Sequence, residues 1–429
     1  MLALVLFLSF LVLIFLGFPI AFSLGISSMI YLLLADIPLN IIPQKMFAGL
    51  NSFVLLSIPG FILAGHLMNY GGITDRIIRF TNSIFGRITG GLAHVNIGAS
   101  MLFSGISGTA LAEAASIGSV LIPAMKKAGY GAAFSAAVTS SASTTGPIIP
   151  PSVPFIIVGT LAGISIGDLH LAGTIPGILI GAALMLVAYI ISKKRNYPKG
   201  EPTSLKEIAK TFVSAFWALM MPFVIMYGIL GGFFTPTEAA IVSVIYGLIV
   251  GMLIYKELRP QDLPGALLDT MIGTASVMIL VGFANLFGWI LVSEQIPQMV
   301  ADFILSISNN KVVVILMINL FLLFVGMFME TIAALVILFP VLLPVATAVD
   351  MEPIQFAMMM VLNLTIGLLT PPVGVCLFVG ASIAKVSMGE AVRALVPFLI
   401  ALLIVLLLVS FIPELSLFLP DLYHQLKGS

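Results

Sequence analysis

The first charged side chain in this sequence is Asp36, and the residues before it, from MLALVLFLSFLVLIFLG to IYLLLA, carry none. Such a run exceeds the ~20 apolar residues that cross the hydrocarbon core of a bilayer as a helix. Similar stretches recur along the whole chain, which is 60% hydrophobic and 8% charged over 429 residues, with a mean hydropathy of +1.20. The fold class is therefore an all-α polytopic membrane protein, because helices satisfy their own backbone polar groups where water is absent. The N-terminal run lacks the basic n-region and small-x-small cleavage pattern of a signal peptide, and it reads as a retained first helix.

Lys plus Arg equals Asp plus Glu at 18 each, so no overall field attracts nucleic acid. No Gly-x-x-x-x-Gly-Lys-Ser/Thr occurs, so ATP is not hydrolysed on this chain. The single cysteine, Cys376, permits no internal disulfide and reads as a small apolar helix residue. His66, His94, His170 and His424 lack metal-ligand spacing. The sequence Gly163-Ile164-Ser165-Ile166-Gly167 has the form of a nucleophile elbow but falls between membrane helices, so Ser165 is not expected to be catalytic. Trp217 and Trp289 are expected to face lipid or anchor helices at the interface, with Trp289 equally suited to a partner subunit. No enzyme activity is expected.

The chain repeats one plan. A spacing of 217 residues pairs Pro19 with Pro236, Glu113 with Glu330 and Pro123 with Pro340; after a short insertion it becomes 221, pairing Gly146 with Gly367, Pro150-Pro151 with Pro371-Pro372 and Gly380 with Gly159. Flanking charges show how the copies sit, because cytoplasmic loops are rich in Lys and Arg. Arg76, Arg79, Arg87, Lys126 and Lys127, against a single Asp75, bracket the segment around Glu113, whereas Glu294, Asp302, Asp350 and Glu352, with only Lys311 opposing, bracket the one around Glu330. Other loops switch the opposite way, so the copies have inverted topology, as in many secondary transporters.

Helices are expected over 2–34, 50–72, 132–163 and 171–192, and again over 236–255, 266–292, 354–384 and 394–419, with a connecting helix at 211–231. That makes about nine crossings. The first repeat spans 1–192, with a re-entrant hairpin at 88–125 and a broken helix at 132–163. Residues 193–231 form a basic cytoplasmic linker and the connecting helix. The second repeat spans 232–429, with a hairpin at 311–348 and a broken helix at 354–384. The hairpin tips fall at SGISG (Ser104 to Gly108) and GMFME (Gly326 to Glu330).

The breaks carry the chemistry. In SASTTGPIIPPSVP, proline removes amide donors and frees carbonyls, and Ser141, Ser143, Thr144, Thr145 and Gly146 stand beside them. The mate NLTIGLLTPP offers Asn363, Thr365, Gly367 and Thr370. Neutral oxygens converging at helix ends suit a monovalent cation such as sodium, and the positive ends of the same half-helices suit an anion. The plainer alternative is a proline kink repaired by local hydrogen bonds. Glu113 and Glu330, at matching sites, are either functional intramembrane carboxylates or caps that close their own hairpin arms. Glu238 follows Thr235-Pro236-Thr237 with the spacing of a capping box and is given no transport role.

The segments SGISGTALAEAASIGSVLIPAMKKAGY, SSASTTGPIIPPSVPFIIVG and LTIGLLTPPVGVCLFVGA resemble the large membrane subunit of tripartite ATP-independent periplasmic (TRAP) transporters, over essentially the whole chain. The resemblance implies sodium-coupled import of an organic anion, such as a C4-dicarboxylate or sialic acid, at the bacterial inner membrane. Hairpins and broken helices would form a transport domain that moves as an elevator against a scaffold. The expected partners are a small four-helix membrane subunit and a periplasmic substrate-binding protein. No cofactor is implied beyond sodium as the coupling ion. One sodium site would use Ser104, Gly105 and Ser107 with Ser143, Thr144 and Gly146. The other would use Gly326 with Thr365, Gly367 and Thr370. The anion would lie between the tips near Ser141, Thr145, Pro147, Asn363 and Pro371. The rival expectations are a stand-alone divalent-anion/sodium symporter, an intramembrane enzyme using Glu113 and Glu330, and a non-transporting scaffold.

Overall fold

The computed structural model describes residues 2–200, 203–371 and 373–428; Pro372, expected to pair with Pro151 in the repeat, lies outside the described residues. All regular structure among the described residues is helical, apart from one isolated bridge between Thr89 and Lys199. Helices α1 (Leu2–Phe15), α2 (Ile20–Leu34), α3 (Ile41–Leu50), α4 (Ser57–Tyr70) and α5 (Ile73–Phe85) come first. A hairpin follows, α6 (Gly91–Ser107) and α7 (Ala110–Lys127), then a broken pair, α8 (Ala132–Ala142) and α9 (Val153–Ala162), and the long α10 (Ile166–Lys194).

After the linker come α11 (Leu205–Leu230), α12 (Pro236–Leu248, continued by a π-helical stretch Ile249–Ile254), α13 (Leu263–Ser293) and α14 (Ile296–Ile307). A second hairpin, α15 (Lys311–Gly326) and α16 (Thr331–Ala348), precedes a second broken pair, α17 (Pro353–Gly367) and α18 (Val375–Ala384). The described chain ends with α19 (Met388–Phe411) and α20 (Glu414–Gly428).

Where hairpins were expected the chain forms adjacent helix pairs, α6 with α7 and α15 with α16, and where broken helices were expected helix is interrupted between α8 and α9 and between α17 and α18. Two expected single helices do not form. Residues 2–34 divide at Gly17, whose φ of +85° ends α1, and at Pro19, which starts α2 without an amide to donate. Residues 394–419 divide between α19 and α20, because Pro413 cannot continue the amide ladder and Ile412 is extended. Helices α5 and α14 were not expected, since each alternates polar and apolar residues and is too short for a crossing. Six helices among the described residues are long and apolar enough to cross a bilayer, with a seventh if the pair Ile41–Leu50 and Val54–Tyr70, bent by 69°, counts as one span. About nine crossings were expected with the two broken helices counted among them; among the described residues the number by length and composition is six or seven.

Helices α2, α3 and α4 pack on α13, α4 packs on α12, and α5 on α11. The hairpins and broken helices pack on one another, with α8 against α7, α18 and α19, and α17 against α15, α16 and α19, while α6 also packs on α5 and α16 on α13 and α14. Phe134, Phe155, Phe339, Phe356 and Phe398 fill this cluster and are fully buried. Meanwhile Leu320, Phe324 and Phe303 lie on the outer surface, 59–72% exposed, as expected of side chains facing lipid. The linker is clipped to the first hairpin, where Gly90 N donates to Pro198 O and Gly200 N to Gly86 O.

Several local rules hold as read. Thr235 and Glu238 form a reciprocal capping box at the start of α12. Ser165 is the N-cap of α10, its hydroxyl accepting from Asp168 N at 3.3 Å, which is a structural use for the serine of the Gly-x-Ser-x-Gly sequence. Lys45 lies 4.9 Å from the ring centroid of Trp289, and Trp217 is 43% exposed.

Candidate functional site: two junctions of hairpin tip and helix break

At the first junction a buried carboxylate joins the hairpin to the broken helix. Glu113 sits in the first turn of α7 and is fully buried. Its Oε2 accepts from Ser104 Oγ at 2.9 Å, and its Oε1 from Thr145 Oγ1 at 3.2 Å. The two hydroxyls lie 2.8 Å apart. A methyl group on Gly146 would stand 2.7 Å from Glu113 Oε2 and 2.9 Å from Thr109 O, so only glycine lets the break approach this closely. The tip turns at Gly108, whose φ is +62°, and there it lies against Pro151 O. Gly105 faces Pro222 of α11 and Pro150 O.

The hydroxyls expected at this junction divide into two groups. Ser143 Oγ donates to Ser140 O at 2.8 Å, and Thr144 Oγ1 to Ser141 O at 2.7 Å, which are local repairs of a broken helix. Pro147 O accepts from Ser152 Oγ at 2.5 Å. By contrast the hydroxyls of Ser107 and Ser141 are buried and have no hydrogen-bond partner, while that of Ser100, one turn before Ser104, is a further hydroxyl bonded to Glu113. Buried polar atoms are nearly always paired, so these two orphaned oxygens call for an occupant.

The second junction is built mainly from backbone. A methyl on Gly367 would stand 2.5 Å from Gly326 Cα, and one on Gly326 would stand 3.1 Å from Leu364 O. Thr365 Oγ1 donates to Val361 O at 2.6 Å and Thr370 Oγ1 to Ile366 O at 3.1 Å. Asn363 is fully buried, but its amide nitrogen is used by Asn319 of α15, at 2.7 Å from Oδ1 and 3.0 Å from O. Its Oδ1 and the hydroxyl of Thr331 are buried without a partner. Pro371 is half-buried.

Glu330 differs from its mate. It is exposed, and its Oε2 accepts from Ile332 N at 2.8 Å and from Ala333 N at 3.3 Å, so it caps α16. Glu113 instead bridges two elements. The pairing of these residues in sequence thus conceals two different jobs.

The two broken helices also touch one another. Ser140 Oγ of α8 donates to Cys376 O of α18 at 3.0 Å, and Gly380 leaves room for the Ser140 hydroxyl. Lys126, at the end of the first hairpin, donates to Ala384 O at 2.6 Å and satisfies the last turn of α18. Ser140, Ser100, Asn96 and Asn319 were not expected from the sequence; polar residues on otherwise apolar hairpin arms were the available signal.

A cavity of about 590 Å³ lies between Ser52, Leu230 and Pro236 on one side and Gly163 and Asp168 on the other, with Tyr423 and His424 of α20 across it. A second, of about 260 Å³, is lined by Gly49, Leu161 and Asn285 among others. Neither is lined by the residues expected to hold sodium or the anion. Among the described residues no group of three His, Cys, Asp or Glu side chains is placed to hold a metal ion.

A helical membrane protein with two such junctions has the fold of known transporters. The chain superposes on the YdaH transporter of Alcanivorax borkumensis with a TM-score of 0.59, at 15% identity over 86% of each chain. On MtrF of Neisseria gonorrhoeae the TM-score is 0.64, at 14% identity over 88% of this chain and 85% of that one. Residues 7–415 match the family described as tripartite ATP-independent periplasmic transporter, DctM component, and the chain belongs to that family.

Among its relatives, the sialic acid TRAP transporter large permease protein SiaM of Vibrio cholerae is 45% identical over 96% of both chains. The sialic acid TRAP transporter permease protein SiaT of Haemophilus influenzae is 40% identical over 96% of this chain and 67% of its own. The C4-dicarboxylate TRAP transporter large permease protein DctM of Pseudomonas aeruginosa is 38% identical over 93% of this chain and 94% of its own. The protein is a multi-pass transporter subunit of the bacterial inner membrane, not an enzyme.

Proposed function

We propose that this protein imports an organic anion, a carboxylate of the sialic acid or C4-dicarboxylate kind, by coupling its entry to sodium. The observation that carries the sodium assignment is the pair of buried, unpartnered oxygens of Ser107 and Ser141 at the first junction. A monovalent cation is the occupant this reading assigns, since neutral hydroxyl and carbonyl oxygens at helix ends suit one. Sodium would be held by these hydroxyls with carbonyls of the tip and the break. At the second junction, carbonyls around Gly326 and Gly367 would serve, with the remaining acceptor of Asn363. The anion would lie between the two tips, close to the break carbonyls and helix starts.

The names of the relatives support the anion class, because sialic acid and C4-dicarboxylates are both carboxylates. The opposed charge bracketing of the two hairpins supports an inverted repeat, with 1–192 and 232–429 as its halves. An elevator is the motion this reading assigns, the cluster of hairpins and broken helices sliding on the layer formed by α2 to α5 and α11 to α13. The chain matches nearly all of SiaM but only 67% of SiaT, so the remainder of SiaT lies outside this chain's counterpart. The tripartite description of the family supports a small four-helix membrane subunit and a periplasmic substrate-binding protein as partners.

The test is uptake into proteoliposomes holding this chain, the small subunit and the binding protein, with an imposed sodium gradient and a panel of carboxylates. Uptake that requires sodium and both partners supports the reading. Transport by the chain alone would sink the tripartite assignment, and transport indifferent to sodium would sink the coupling.

A further inference from the structure

In both halves of the molecule a side-chain amide joins the first arm of the hairpin to the first half of the broken helix, away from the tip itself. Asn96 Nδ2 on α6 donates to Thr139 Oγ1 on α8 at 2.7 Å. Asn363 Nδ2 on α17 donates to Asn319 Oδ1 on α15 at 2.7 Å, and Asn319 Nδ2 donates on to Ser410 Oγ of α19 at 3.1 Å. All of these residues are buried, none more than 4% exposed. None of them lines either cavity.

Their placement matters more than their burial. Asn319 lies about two helical turns before Gly326, and Asn363 about one turn before Gly367. Those glycines are where the second tip and the second break touch, with no side chain between them to hold the contact. An apolar interface between two helices tolerates small slides, because one hydrocarbon contact replaces another. An amide pair does not, since a slide strands polar groups in a medium that cannot solvate them. A slide of α15 along α17 would also move the carbonyls at Gly326 past those at Leu364 and Gly367.

We propose that Asn319 and Asn363 are positioning residues, which set the register of α15 on α17 and thereby hold the backbone oxygens of the second junction in ion-binding geometry. Asn96 and Thr139 do the same for α6 on α8. The transport half of this proposal rests on the sodium-coupled reading above; the structural half does not. Gln355 provides an internal control. It is also buried on α17 and also bonds α19, through Nε2 to Val409 O and Ser410 O at 3.2 and 3.0 Å, but it lies at the far end of α17 from Gly367.

The experiment compares the full chain with Asn363→Leu, with Gln355→Leu, and with the double variant Asn319→Leu, Asn363→Leu. The double variant leaves no amide stranded, which guards against simple misfolding. Hydrogen exchange is measured over residues 324–331, and sodium activation of uptake is measured in the reconstituted complex. Asn363→Leu and the double variant are expected to speed exchange at the tip at least tenfold, with α11 and α19 unchanged. Half-saturating sodium should rise about tenfold while the maximal rate stays within twofold. Gln355→Leu should alter neither. Native exchange at the tip in both asparagine variants overturns the proposal, as does an equal effect from Gln355→Leu. If wild-type uptake ignores sodium, the coupling reading fails while the exchange measurement still decides the positioning role.

Discussion

Glu113 Oε2 accepts a hydrogen bond from Ser104 Oγ at 2.9 Å while its Oε1 accepts one from Thr145, so a single carboxylate ties the tip of the first hairpin to the first helix break. Its counterpart Glu330 bonds only to the start of its own helix. The two residues should therefore respond differently to substitution. Glu113→Gln keeps the size of the side chain but replaces one of the two accepting oxygens with an amide donor, which breaks one of the bonds that tie tip to break. Half-saturating sodium should rise about tenfold, or ~1.4 kcal/mol, in a folded protein. Glu330→Ala should cost ~1 kcal/mol of stability through the lost cap and leave the sodium curve within twofold. Sodium-activated uptake and thermal unfolding in detergent read both effects; matching sodium shifts in the two variants would contradict this division of roles.

The glycines at the junctions are contact points. Gly146→Ala brings a methyl to 2.9 Å from the backbone oxygen of Thr109, and Gly367→Ala brings one to 2.5 Å from Gly326 backbone. Backbone cannot swing aside as a flexible side chain can, so each should cost ~1–3 kcal/mol and reduce uptake at least tenfold. Gly389→Ala, where nothing lies within 4 Å, should be neutral or slightly stabilising. Uptake of all three at equal expression checks the contrast, and an active Gly367→Ala would show that the second junction does not close as described.

Among the hydroxyls, those without a protein partner should matter most to the ion. Ser141→Ala and Ser107→Ala remove no protein hydrogen bond, so the melting temperature should stay within a few degrees while half-saturating sodium rises severalfold. Thr144→Ala and Thr365→Ala also weaken sodium dependence in this reading, but less, since their hydroxyls are committed to Ser141 O and Val361 O. The ordering of the four activation curves is the measurement. Equal curves across all four would remove these side chains from the ion sites.

Tyr423 of α20 donates to Leu230 O at the end of α11, and His424 pairs with Asp168 at 3.1 Å, so the last helix straps the wide cavity from two sides. Tyr423→Phe should loosen the strap without unfolding the protein. With Cys376 replaced by alanine, a Thr160→Cys probe inside the cavity should then react at least threefold faster with a hydrophilic thiol reagent. An unchanged labelling rate would mean that the strap does not limit access.

Much of this architecture was legible in the sequence because it is written in local chemistry. The prolines after Gly146 and Gly367 interrupt helices wherever they stand. Gly108 turns the first hairpin, and Thr235 and Glu238 cap α12, with no help from distant residues. The division of 2–34 was missed although Gly17 and Pro19 announced it, since apolar content dominated the reading. Helices α5 and α14 were missed because their mixed faces depend on what packs against them.

The sequence by itself determined that the chain lives in a membrane, that it carries two hairpins and two breaks, and that their charges bracket them oppositely. These follow from composition and from residues that bend a backbone on their own account. Only the tertiary structure decided that Glu113 bridges while Glu330 caps, that Asn363 is spent on Asn319, and that Ser107 and Ser141 are left with unpaired oxygens. A hydrogen bond is made or withheld by which atoms lie within about 3 Å across different helices, and spacing along one chain carries no record of that distance.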